Sequence, residues 1–119
     1  FEMINAISEK RQKQALDLYY DLLTLKEPPM RILFLILRQF QKLMLIKELS
    51  GQGADSRTIA SKAGMPEFAV RKNQRMAGNF TMQQIREAIE DGVEFEESVK
   101  SGRMNDRIAV ELLIVKCSQ

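Results

Sequence analysis

Between the proline pair at 28 and 29 and the Gly51-Gln52-Gly53 triplet, the chain runs PMRILFLILRQFQKLMLIKELS, a helical segment that is apolar around most of its circumference. At about 100° per residue, Ile32, Leu33, Ile36, Leu37, Phe40, Leu43 and Met44 form one broad stripe, enough to line a core. Phe34, Leu35, Leu45, Ile46 and Leu49 fall on the other half, interleaved with Arg38, Gln39, Gln41 and Lys42. A helix of this kind must either sit inside a bundle with neighbours all round or share its second face with another protein. Membrane insertion is excluded, because the polar residues break the run well short of the roughly 20 apolar residues a span needs. The last helical stretch, DRIAVELLIVK, repeats the pattern, with Ile108, Ala109, Val110, Leu112, Leu113, Ile114 and Val115 pointing in most directions.

Helical spacing prevails elsewhere, and period-two alternation rich in Val, Ile and Thr is almost absent, so the chain is all-α, a compact bundle of about five to seven helices. FEMINAI opens as a short amphipathic piece, and RQKQALDLYYDLL places Ala15, Leu18, Tyr19 and Leu22 on one face before ending near Lys26. Pro28 and Pro29 mark a break and a restart, since proline in a first turn forfeits no hydrogen bond. The long helix then covers about 29–49. Two short helices are expected at about 55–63 and 67–77, joined through Gly64-Met65-Pro66. Thr81 with Gln84 makes a capping-box signature for a helix reaching about Lys100, although Gly92 within it costs roughly 1 kcal/mol against alanine. Asn105 caps the last helix. No repeat, low-complexity tract or linker divides residues 1–119, which read as one domain.

The chemistry available is narrow. The chain has no histidine, which removes the usual general base and the common imidazole metal sites. Neither GxxxxGK[ST] nor GxGxxG occurs, so no phosphate-cradling loop and no cofactor is expected. Glu87, Glu90, Asp91, Glu94, Glu96 and Glu97 read as a solvated helix face rather than a metal or acid pair. The single cysteine, Cys117, excludes an internal disulfide and reads as a small packed side chain of an intracellular protein. The chain opens on Phe1 with an apolar pattern and no signal-type segment, as expected of a piece cut from a longer protein.

The net charge of +2 is too small to argue for a polyanionic partner, but its distribution is uneven. Residues 55–75 hold five basic and two acidic groups, the most basic stretch by density. Within it IASKAGMPEFAVRK has the layout of a helix-turn-helix: Ala60 at the crossing, Gly64 in the turn, Val70 returning to the core. Arg71, Lys72 and Arg75 follow where a DNA-reading version would meet phosphates or base edges. Against that, Asn73 occupies the place of a third aliphatic anchor and must be hydrogen-bonded or exposed, and Pro66 stiffens the helix entry. A purely structural corner is the alternative to a DNA contact.

Taken in series, FEMINAI leading to ALDLYYDLL, then PPMRILFLILRQFQKLMLIKEL, then IASKAGMPEFAVRK, and finally VKSGRMNDRIAVELLIVK resemble the C-terminal domain of the delta subunit of the bacterial DNA polymerase III clamp loader. Asn73, Gly92 and Glu96 depart from that family's usual residues. The resemblance implies an all-helical collar domain joining a pentameric ring in the bacterial cytoplasm. Its implied partners are the other loader subunits, namely the ATPase subunits and delta-prime, with the sliding clamp reached only through domains not in this chain and DNA only through the whole assembly. On that footing Phe34, Leu35, Leu45, Ile46 and Leu49 are the candidate subunit-interface residues. Arg71, Lys72 and Arg75 are the candidate nucleic-acid contacts of the alternative, and no residue is expected to be catalytic.

Overall fold

The computed structural model describes residues 2–119; Phe1, the first residue of the expected opening piece, lies outside the described residues. Seven helices and no strand occur among the described residues: α1 (Glu2–Ser8), α2 (Gln12–Thr24), α3 (Pro29–Gly51), α4 (Ser56–Ala63), α5 (Glu67–Ala77), α6 (Met82–Lys100) and α7 (Asp106–Cys117). The helix starts follow from side chains that satisfy orphan backbone N–H groups. The Asp55 carboxylate accepts from the Thr58 amide at 2.8 Å, which holds its pKa below the ordinary carboxylate value. Thr81 and Gln84 form the reciprocal capping box at 3.1 and 2.9 Å, and Asn105 accepts from the Arg107 and Ile108 amides. Pro29 stands in the first turn of α3, where its missing N–H leaves no bond unmade.

Helices α1 and α2 end with no glycine behind them. Lys10 and Lys26 adopt left-handed backbone at φ 59° and 64°, and beyond them the Arg11 and Glu27 amides donate to the Ala6 and Leu22 carbonyls at 2.8 and 3.0 Å. That six-to-one bond closes α1 and α2 as a left-handed glycine usually would. Lys10 is held in place with its ammonium 4.9 Å from the centre of the Phe80 ring.

Helix α3 is the axis of the molecule. At 1.5 Å per residue it is about 34 Å long, most of the 43 Å long dimension, and it packs on α1, α4, α5, α6 and α7. Along its first half Leu33, Ile36, Phe40 and Leu43 meet Ala6 and Ile7 of α1, Tyr19 of α2, Ile85 of α6 and Leu113 and Ile114 of α7 in one buried cluster. Along its last turns Ile46 and Leu49 meet Ile59 of α4 and Val70 of α5 in a second, smaller cluster. The helix therefore serves two cores on different sides of its circumference. Helix α6 runs unbroken through the buried Gly92, where a Cβ would come within 2.2 Å of Leu37 Cδ2. The glycine leaves the Leu37 side chain of α3 room to lie directly against the α6 backbone.

Tyr19 fastens α2 to α7: its fully buried hydroxyl donates to the Arg107 carbonyl at 2.8 Å. Burial, with the nearby Asp106 and Glu111 carboxylates, pushes the phenol from 10.0 up to about 12, and burial does the same to the Cys117 thiol. In both cases the folded state holds its proton more tightly than the unfolded chain, so the contribution of Tyr19 to stability is intact below pH 10 and is lost as pH rises toward 12. Denaturant midpoints should therefore be flat from neutral pH to about pH 9 and fall steeply above 10. Tyr19→Phe should lose about 1 kcal/mol at neutral pH and show a shallower alkaline fall; an unchanged slope would show that this phenol is not the group titrating.

Candidate subunit interface

The five apolar residues expected to share a second face of α3 divide into two sets. Phe34 and Leu35 are 57% and 41% exposed on the first half of the helix. Ile46 and Leu49 are instead buried in the second cluster, under α4 and α5, and Leu45 is half-buried against the same cluster. For Ile46 and Leu49 the expectation of an available surface is therefore corrected. The helix-turn-helix pair supplies the cover, and periodicity within α3 carries no sign of which later residues will fold back on it. The surface that remains open is the stretch around Phe34 and Leu35, bordered by Arg31, Arg38 and Lys42.

A second open apolar area lies on α7, where Ile108 and Leu112 are exposed one turn apart. Tyr20 of α2 reaches across to it and donates a hydrogen bond to the Glu111 carboxylate, which raises the phenol's pKa. The even spread of apolar residues along α7 had signalled the open face; Tyr20, Val93 and Phe68, also exposed, carried no such signal.

The corner built by α4 and α5 turns at Gly64, whose φ of 66° explains the glycine there. Asn73, at the site of the absent aliphatic anchor, is half-buried and satisfied: Gln39 Nε2 donates to its Oδ1 at 3.2 Å, and its Nδ2 donates to the Ala69 carbonyl at 2.9 Å. The asparagine thus ties α5 to α3 by a polar contact. Arg71, Lys72 and Arg75 all lie exposed on the outer side of α5, in line with Phe68, which is 79% exposed. Their spacing of three and four places all four side chains on one face.

Among the described residues no group of three or more cysteine, aspartate or glutamate side chains converges on a point that would hold a metal. A small pocket of about 150 Å³ between α6, α7 and the Lys10 turn is lined by Phe80, Asp91, Lys116 and Cys117. Its thiol, pushed up to about 12, stays protonated at neutral pH and is a poor nucleophile. No helix among the described residues is long and apolar enough to cross a membrane.

The architecture is thus a two-core helical body with an open apolar strip on its central helix. The family described as DNA polymerase III delta subunit, C-terminal domain, matches residues 1–117. The chain belongs to that family. A curated relative, the DNA polymerase III subunit delta of Bacillus subtilis (strain 168), is 29% identical over 116 residues, covering 98% of this chain and 33% of the relative. The solved structure of the Bacillus subtilis DNA clamp loader delta protein superposes with a TM-score of 0.87 at 29% identity, over 99% of this chain and 35% of that one. This delta C-terminal domain therefore spans about a third of the length of the relatives it matches. Its fold is shared, over nearly its whole length, with a clamp-loader protein.

Proposed function

We propose that this chain, residues 1–119, is the subunit-assembly domain of a longer delta subunit and joins a pentameric collar in the DNA polymerase III clamp loader. In that role it supports the loading of the sliding clamp on primed DNA and carries no catalytic step itself. The ATPase subunits and delta-prime are its neighbours in the ring, and the bacterial cytoplasm is its compartment. The observation that carries this reading is the exposure of Phe34 and Leu35 on a helix whose other large apolar side chains are buried or half-buried in two separate cores. A contiguous apolar strip rimmed by charges is the anatomy of a protein interface. Mixing the chain with the loader's ATPase subunits and delta-prime should give a complex heavier than any component by light scattering. A chain that stays at its own mass in every mixture contradicts the reading.

A second reading rests on the line of Phe68, Arg71, Lys72 and Arg75 along α5. Cations interleaved with an exposed aromatic ring suit a nucleic-acid backbone, and under this reading the corner touches DNA in the complete loader. Absence of duplex binding at low salt by the unmodified chain would eliminate it.

A further inference from the structure

The open side of α3 is not only apolar. Arg31, Leu35, Arg38 and Lys42 recur at intervals of four, seven and eleven residues, which aligns them in one stripe running about 16 Å along the helix. Together with Ile4 of α1 and Gln39 they line a groove of about 390 Å³ that contains no acidic side chain. Arg31 has Glu27 at the limit of ion-pair distance, 4.0 Å, one turn earlier. Among the described residues no carboxylate lies within that distance of Arg38 or Lys42. Gln39 is already committed inward, donating to Asn73 and to Ser8. What the groove offers a visitor is therefore an apolar floor, Leu35 and Ile4, beside the positive charges of Arg38 and Lys42, which no carboxylate among the described residues meets.

We propose that this groove receives an acidic amphipathic helix of a neighbouring loader subunit, about three turns long, with an aliphatic side chain on Leu35 and carboxylates against Arg38 and Lys42. The inference rests on the assembly reading above and names the chemistry of the partner. Charge complementarity is the argument for the occupant: arginine forks and a lysine around an apolar centre match carboxylates around an aliphatic residue, and fix register as well as attraction. A nucleic acid fits less well, because the floor of the groove is aliphatic, whereas nucleic-acid interfaces are more polar and more positively charged.

The test uses the loader subunits as partners. Arg38→Glu combined with Lys42→Glu should weaken association about tenfold or more, and Arg38→Gln with Lys42→Gln should weaken it less. Association of the unmodified chain should also fall as salt rises. Zero-length carbodiimide coupling of the assembled complex should join Lys42 Nζ to an aspartate or glutamate of a partner subunit, identified by mass spectrometry of the linked peptides. Both charge variants alter exposed or half-exposed side chains, and circular dichroism should show them folded. If Leu35→Asp abolishes association while the double reversal leaves it intact, the assembly reading stands and the acidic partner is rejected. A complex that forms without any Lys42 coupling rejects it equally. Failure of the unmodified chain to join the subunits overturns both. Binding of a 20-nucleotide single strand or duplex that depends on Arg38 and Lys42, with subunit association untouched in the double reversal, assigns the groove to nucleic acid instead.

Discussion

Replacing Ile46 with aspartate should detach the α4–α5 corner from α3 and leave the larger core standing. Ile46 is completely buried against Ile59 and Val70, with Leu49 beside it, and those four side chains are the whole buried part of the second cluster. Deleting a buried isoleucine costs about 2–5 kcal/mol by itself, and an unpaired carboxylate in the same space adds the cost of dehydrating a charge. That sum approaches the whole stability of a domain, about 5–15 kcal/mol, but it falls on the smaller cluster, while the end of α5 stays anchored in the larger one through Met76 and Ala77, so the corner should open locally. Trypsin reports this directly, because Arg57, Lys62, Arg71, Lys72 and Arg75 all lie in the corner. Cleavage there should accelerate by orders of magnitude in Ile46→Asp, while sites in α6 and α7 stay protected. A variant with unchanged cleavage would place Ile46 on an open surface, against the burial described above.

A second large effect is expected at the crossing of α3 and α6. Gly92→Ala should destabilise the protein even though alanine is the better helix former by about 1 kcal/mol. The added Cβ would lie 2.2 Å from Leu37 Cδ2 and 2.8 Å from Leu37 Cγ, and Leu37 is itself buried with little room to turn. Overpacking of this kind costs about 1–3 kcal/mol, and Gly92→Val, with two further methyl groups, should reach or exceed the top of that range. Leu37→Ala removes the obstacle, so the double variant Leu37→Ala with Gly92→Ala should be more stable than the sum of the single changes predicts, by about 1–2 kcal/mol. Additive losses, or a higher melting temperature for Gly92→Ala alone, would show that the two helices do not approach through this glycine.

Most helix limits were legible because they are written in local chemistry. Pro29, Asp55, Thr81 with Gln84, and Asn105 each satisfy or remove a backbone donor at a fixed offset, and each starts a helix where expected. The separation of α1 from α2 was less visible, because the residue in left-handed backbone is Lys10, supported by a Phe80 ring seventy positions away. Gly92 read as a weak point from propensity alone; its reason is a leucine on another helix. The largest misreading concerned Ile46 and Leu49. Helical periodicity treats α3 as having one inner side along its whole length, whereas the buried side turns from Phe40 and Leu43 to Ile46 and Leu49 as the first core gives way to the second. Only residues 59 and 70, folded back by the glycine turn, decide that. Phe34 and Leu35, ahead of that change, kept the exposure their position on the helix implied. The basic line on α5 was legible in Arg71, Lys72 and Arg75, while Phe68, three residues earlier on the same face, went unnoticed.

The claim that the front half of α3 is a subunit interface is tested most directly by the mass of the complex formed with the ATPase subunits and delta-prime when Phe34 and Leu35 are both changed to aspartate. Both side chains already meet solvent, so the variant should keep the helical signal and melting temperature of the unmodified chain. It should nevertheless remain at the mass of the single chain in mixtures where the unmodified chain enters the complex. A folded variant that enters the complex at the same subunit concentrations as the unmodified chain would contradict the account.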